Sequence, residues 1–532
     1  MATPAKWFHF ACQRIAHSTR ALRRLMVISA LLTGAVLAAI AGAGAEQHSP
    51  FTGIFSFIPN GVFFPNPNGA SQTYSTLGGG IDQTGPFFQS MGTNGRSCAT
   101  CHQPSDGMSI AAEEVQERFL MTRGRDPIFR TVDGSNCNHD IDVSTLEGLY
   151  DAYSLLRTRG LIRIPIAIPA NADYRVVDVQ NQYHCNESDV VSMYRRPLPT
   201  TNLRFLSAVM FDGRESTPLT GTTKILDTNY PTSLLNNLLH QSVDATTIHA
   251  QGDGTRPTLA EQQEIVNFEM ALFTAQTIGD DIGRLNTHGA KGGPLPLVTE
   301  PFFISINSSV NHIVETLELP GGQFIRGDKK FSPAIFDTFG AWSEFPEHSR
   351  RAAVARGEAI FNSKAINITG VAGINDAAAA GGLVPPGLPA LQGTCGTCHD
   401  TPNVGNHSFP TPLNIGTGDP SPTNVSANMG GLDIRYLPSI TVCKLDTSTT
   451  PPVPTSNCKT TTDLGQAAID GKFDHVGKIK GPILRGLSAR APYFHNGSAK
   501  TLLDAVRFYE GRFGLVLTHH EESDLVAFLS SL

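Results

Sequence analysis

Cys98-Ala-Thr-Cys101-His102 and Cys395-Gly-Thr-Cys398-His399 are two copies of one short pattern, Cys-x-x-Cys-His. In a c-type haem site the two thiols form thioethers with the porphyrin vinyl groups. The adjacent histidine becomes the proximal ligand of the iron. The pattern is short because one turn of chain must set both sulfurs and the imidazole against a single macrocycle. A lone copy also reads as a redox dithiol or as half of a zinc site, since Cys₂His₂ centres use similar pairs. Two copies, each with its trailing histidine, predict two covalently bound haem c groups. Cys98, Cys101 and His102 hold one, and Cys395, Cys398 and His399 hold the other.

The N-terminus predicts the compartment in which such haems are attached. Residues 1–24 carry Lys6, Arg14, Arg20, Arg23 and Arg24 with no acidic residue, and Leu25 to Ala41 is almost uninterruptedly apolar. Ala43-Gly44-Ala45 then supplies small residues for cleavage before Glu46. This is the pattern of a secretory signal peptide, 1–45, and it predicts a periplasmic protein. No later stretch is apolar and long enough to cross a bilayer, so no permanent membrane anchor is expected. Of the nine cysteines, Cys12 leaves with the signal and four belong to the haem motifs. Cys137, Cys185, Cys443 and Cys458 remain. In an oxidising compartment an even remainder predicts disulfides, Cys137–Cys185 and Cys443–Cys458, each within one inter-motif segment.

Only 16% of residues are charged and the formal net charge is −7, so no basic footprint for nucleic acid exists. With 51 glycines and 35 prolines, much of the chain reads as loop around apolar cofactors.

The chain also reads as internally duplicated. Leu203-Arg204-Phe205-Leu206-Ser207-Ala208 matches Leu484-Arg485-Gly486-Leu487-Ser488-Ala489. Phe211-Asp212-Gly213 follows the first copy, and Phe494-His495-Asn496-Gly497 follows the second. Thr258-Leu259-Ala260-Glu261 and Thr518-His519-His520-Glu521 both read as capping boxes, each opening a helix with an apolar face. Matches in the same order with drifting offsets predict two related halves that carry different insertions.

This order of landmarks resembles the bacterial di-haem cytochrome c peroxidase and MauG family. The densest resemblance runs from Gly481-Pro482-Ile483-Leu484-Arg485 through Ala491-Pro492-Tyr493-Phe494-His495-Asn496-Gly497 to Thr501-Leu502 and Ala505-Val506. Phe211-Asp212-Gly213-Arg214 and Arg356-Gly357-Glu358-Ala359-Ile360-Phe361 also fit, and Asn414-Ile415-Gly416 more weakly. Residues 126–195, 286–345 and 417–470 are left unexplained and read as insertions. The resemblance implies a mainly α protein of two tandem cytochrome c-like domains with long loop-rich insertions. Its parts would be an N-terminal domain 46–285 with the catalytic haem, a linker or insertion 286–345, and a C-terminal domain 346–532 with the electron-transfer haem.

The resemblance further implies peroxidase roles. His102 would be the proximal ligand of the reactive haem and His399 that of the haem that accepts electrons. The second haem's sixth ligand is open between Tyr509, His495 and Met429. Gln241 is the counterpart of the family's distal glutamine. No acidic residue occupies the place of its distal glutamate, where His249 stands as a candidate acid–base. Phe211 replaces the family's tryptophan between the haems, which argues against hole hopping through that position and against MauG-like long-range oxidation of a protein substrate. Arg214 and Arg485 are candidates to neutralise haem propionates. A calcium ion between the domains is a further implication. The expected reaction is reduction of hydrogen peroxide to water with electrons from a small cytochrome c or cupredoxin. The alternatives are a MauG-like oxidase or an oxygenase acting on an organic or protein substrate, and a non-enzymatic di-haem electron carrier.

Overall fold

Both capping boxes form. Thr258 Oγ1 accepts from Glu261 N, while Glu261 Oε2 accepts from Thr258 N at 2.7 Å, opening the helix Leu259–Met270. The same reciprocal bonds join Thr518 and Glu521 at the start of His519–Ser530. Each motif turn is likewise repeated. Cys98–Thr100 and Cys395–Thr397 are single 3₁₀ turns, each closed by a threonine hydroxyl: Thr100 Oγ1 accepts from Ser97 N–H at 3.0 Å and Thr397 Oγ1 from Thr394 N–H at 2.9 Å. His102 N–H donates to Cys98 O at 3.1 Å and His399 N–H to Cys395 O at 2.9 Å. Leu203–Phe205 and Leu487–Ala489 are a third matched pair of 3₁₀ turns, each entered through a left-handed residue, Asn202 or Gly486.

Aromatic packing repeats as well. Phe268 on the first capped helix packs at a tilt against Phe87, which neighbours His102. Phe528 on the second packs at a tilt against Phe361, which neighbours His399. The duplication read from the sequence is therefore present as local structure around both motifs.

The computed structural model describes residues 56–185, 190–206, 208–216, 232–300, 302, 317–319, 323–325, 336–376, 390–399, 402, 412–420 and 432–532. The export segment 1–45 and Met429 lie outside these residues. The described residues belong to one compact unit. No helix among them is long and apolar enough to cross a membrane.

The expectation of a mainly α, cytochrome c-like architecture is corrected. Helix accounts for about 33% and strand for about 20% of the described residues, and the strands pair into small antiparallel sheets. One sheet has four strands in the order Phe64–Asn66, Gly69–Ser75, Leu272–Gly279 and Gly283–Arg284. The last residue of the chain docks beside it, with Gln276 N–H donating to Leu532 O at 3.0 Å.

The insertions supply the other notable sheets. Ile162–Ala167 pairs with Val190–Arg195, and Tyr174–Gln180 pairs with Ser439–Asp446, which pairs in turn with Val453–Thr461. The physical reason lies in Tyr174-Arg-Val-Val-Asp-Val-Gln180 and Ser439-Ile-Thr-Val-Cys443, stretches rich in β-branched residues that suit a half-buried pleat. The high glycine and proline counts masked that signal. Segments 126–195 and 417–470 thus meet in one sheet, sealed beneath by Tyr174, Val191, Met193, Ile440, Val442 and Phe473. Both expected disulfides form. Cys443 and Cys458 are opposed partners in the strand pair, and Cys137 joins Cys185.

Candidate active site

Each Cys-x-x-Cys-His turn opens on its own cavity. The first, of about 1410 Å³ including space open to solvent, is lined by Cys98, Cys101 and His102. The second, of about 1640 Å³ on the same measure, is lined by Cys395, Cys398 and His399. Most of the surface that lines each is apolar. None of the four motif cysteines is in a disulfide, whereas the other four described cysteines are paired. Burial, with Glu269 nearby, pushes the Cys98 thiol up to about 12, and burial pushes that of Cys395 up to about 12.

The donors of each motif surround a void instead of converging on a point. Among the described residues, the donor groups within 4.8 Å of one another are Cys137–His139–Cys185 and Glu215–His240–Asp244, and neither contains a motif residue. Two thiols and an imidazole on an apolar wall are the donor set that a covalently attached porphyrin would use. They are not clustered as a zinc ion requires, with four donors at about 2.0–2.3 Å.

The proximal histidine of the first cavity is oriented by the backbone. His102 Nδ1–H donates to Met108 O at 3.1 Å, which leaves Nε2 with its lone pair for a metal. Met108 is fully buried and has φ of 60°, so the accepting carbonyl is held in place by the fold.

The opposite chemistry comes from the helix Thr232–His249. Gln241 and His249 both line the first cavity, as the sequence reading placed them. His249 Nδ1–H donates to Asp133 Oδ2 at 2.5 Å. Asp133 in turn pairs with Arg96, whose guanidinium also donates to Pro127 O at 2.9 Å and Ile128 O at 2.6 Å. Burial alone would raise the Asp133 carboxyl. The Arg96 guanidinium and the hydrogen bond from His249 outweigh it and hold the group below the ordinary carboxylate value. An imidazole with a buried carboxylate behind one nitrogen has its ring orientation and tautomer set. Asp133 and Arg96 were not legible as site residues, because they lie far from His249 in sequence and carry no motif.

Glu269 also lines the first cavity. Its Oε2 has no hydrogen-bond partner, and burial pushes its carboxyl up to about 8.

In the second cavity Tyr509 and His495 are both present. Tyr509 Oη lies 3.3 Å from His399 Nε2, the nitrogen that a proximal ligand presents to iron. Burial raises the Tyr509 phenol well above its ordinary value. His495 has its Nε2 3.7 Å from Asp463 Oδ2, and burial pushes the imidazole down to about 4. Its ring stands edge-on to Phe211 at 5.9 Å.

Phe211 lines both cavities, so it occupies the position between them that the sequence reading assigned to it. Trp342 is fully buried against Phe339 and lines neither cavity. Arg214 lines the first cavity and pairs with Asp212 at 3.0 Å. Arg485 lines neither. Its Nε–H donates to Pro402 O at 2.8 Å, and its guanidinium sits 5.6 Å above the Phe336 ring. The cations that face the cavities from its neighbourhood are Arg196, Lys480 and Arg490.

No family model matches the chain, and no curated protein matches it.

Proposed function

We propose that the protein is an exported di-haem c-type oxidoreductase that reduces hydrogen peroxide to water with electrons from a small redox protein. The observation that carries this reading is the pair of apolar cavities, one behind each Cys-x-x-Cys-His turn, that meet at a common wall. Cys98, Cys101 and His102 would hold one haem, and Cys395, Cys398 and His399 the other. Haem bound there supplies one-electron chemistry and, in the first cavity, an iron centre at which peroxide is activated. The two disulfides support an oxidising compartment.

The side chains around the two cavities support different tasks. Peroxide reduction consumes two electrons and two protons, so the reactive cavity needs a group that moves protons. His249 is that group. Its Nδ1 is committed to Asp133, which leaves Nε2 to take a proton from one peroxide oxygen and return it to the other. Gln241 supplies an amide that orients the substrate. Among the described residues no carboxylate lines the second cavity. Tyr509 beside His399 favours a saturated, electron-transfer site, in which two fixed ligands limit reorganisation. The proposed sixth ligand is therefore Tyr509, and His495, whose buried Nε2 lies 3.7 Å from Asp463 Oδ2 without a hydrogen-bond partner, is its rival.

The test begins with the purified, exported protein. Intact mass and the pyridine haemochrome spectrum should report two covalent haems. Peroxide-dependent oxidation of a reduced cytochrome c is then followed with the protein fully oxidised and after reduction by one electron. Rapid turnover, above all after pre-reduction, supports the peroxidase reading. Two haems without turnover in either state overturn it and leave an electron carrier or an oxygenase.

A further inference from the structure

The wall shared by the two cavities holds an ammonium group that the polypeptide does not neutralise. Arg196, Pro197, Leu198, Pro199, Phe211, Lys480 and Ile483 line both cavities. Lys480 is 3% exposed, and its Nζ has no hydrogen-bond partner. Its backbone is pinned to the wall, with N–H donating to Phe211 O at 2.8 Å. Lys478, two residues earlier and equally buried, differs in lining neither cavity and in having Asp376 at 3.7 Å.

Isolated buried charges are costly, and proteins pair them. Among the described residues no carboxylate is placed to pair with Lys480. None lines the second cavity. In the first, Asp133 is committed to Arg96 and His249, and Glu269 makes no bond to the lysine. Burial, with no opposing charge, pushes Lys480 down to about 8. Its neighbours deepen the deficit. The Arg196 guanidinium is satisfied by the carbonyls of Arg159, Ile110 and Arg490, which carry no net charge. Arg490 lines the second cavity and has a buried Nε without a partner. The residues that line the cavities therefore include a positive charge and a donor that the described residues leave unsatisfied.

We infer that Lys480 is a carboxylate-binding residue common to both cavities, the counter-charge for the propionate groups of the two haems. The inference rests on the function proposed above and deepens it. A single cation serving both sites ties the two redox centres to one electrostatic element. It also draws their anionic edges to the same wall, beside Phe211, where an oxidisable tryptophan is absent. A positive charge near a haem favours its reduced form, so removing the charge lowers the potential.

The experiment uses the full-length, haem-loaded protein and its Lys480→Gln, Lys480→Arg and Lys478→Gln variants. Haem stoichiometry is measured first. Spectroelectrochemical titration then gives both midpoint potentials in buffer with and without added formate. The expected result is a downward shift of both potentials in Lys480→Gln, none in Lys480→Arg or Lys478→Gln, and no dependence on formate. Independently of any variant, infrared difference spectra of the parent protein should show carboxylate bands on reduction of each haem. Unchanged potentials in Lys480→Gln overturn the inference, as do a shift at one haem alone, a formate-dependent shift or missing carboxylate bands. A parent protein without covalent haem overturns the proposed function itself and is distinguished at the first step.

Discussion

Arg195 and Asp463, 268 positions apart, form a buried bidentate ion pair, with Nε to Oδ2 at 2.6 Å and Nη2 to Oδ1 at 2.7 Å. Each comes from one of the two inserted segments. Arg195 ends the strand Val190–Arg195, and Asp463 follows the strand Val453–Thr461. Arg195 also pairs with Asp212, the partner of Arg214 on the first cavity, while Asp463 faces His495 on the second. The insertions therefore tie the two halves together at the level of the sites. Removing Asp463 leaves one buried carboxylate, Asp212, to serve both Arg195 and Arg214. Asp463→Ala should cost about 3–5 kcal/mol. Thermal or urea unfolding of the loaded protein measures it, and a loss below about 1 kcal/mol would show that the pair is dispensable.

Acid should dismantle this network. Burial pulls the Asp212 carboxyl up, but Arg214 and Arg195 outweigh it and bring the group down to about 2. Asp463 and Asp133 are lowered by the same balance. Folded values below the unfolded reference of about 3.9 mean that the stabilisation is present above about pH 4. It is lost as pH falls through the folded values towards about 2. Melting temperature should therefore drop steeply across that window. In Asp212→Asn it should start lower at neutral pH and fall less on acidification.

His249→Ala should lower peroxide turnover by about 10²–10⁴-fold while both haems remain bound. Asp133→Asn should lower it less, since the imidazole survives and only its orientation and polarisation change. Steady-state kinetics alongside the absorption spectra separate the two. Wild-type turnover in His249→Ala would remove His249 from the mechanism.

Tyr509→Phe should alter the ferric spectrum of the second haem and leave that of the first unchanged. Low-temperature electron paramagnetic resonance of the oxidised protein reads both. Identical spectra with and without the hydroxyl would exclude Tyr509 as a ligand and return the choice to His495 and Met429.

The disulfides should contribute unequally. Cys137–Cys185 closes a span of 48 residues and Cys443–Cys458 one of 15. Loop-closure entropy assigns about 4 kcal/mol to the longer and about 3 kcal/mol to the shorter. Unfolding of the Cys137→Ala/Cys185→Ala and Cys443→Ala/Cys458→Ala proteins compares them. A larger loss from the second pair would contradict this order.

Local chemistry was legible in the amino-acid sequence because it depends on neighbours in the chain. The Cys-x-x-Cys-His turns, the Thr258 and Thr518 capping boxes and the even count of leftover cysteines are short-range patterns. The duplication followed from their order. Gln241 and His249 are singled out only by the resemblance to the peroxidase family, and the fold sets both on the first cavity. Tertiary structure decided the rest. The strand Tyr174–Gln180 has no partner nearby and becomes a sheet only when Ser439–Asp446 arrives from the other half, so it read as loop. Asp133 reaches His249 across 116 positions, and Lys480 is unneutralised only because the fold buries it between two cavities. Charge pairing and burial depend on distance in space, and a linear pattern carries no record of that distance.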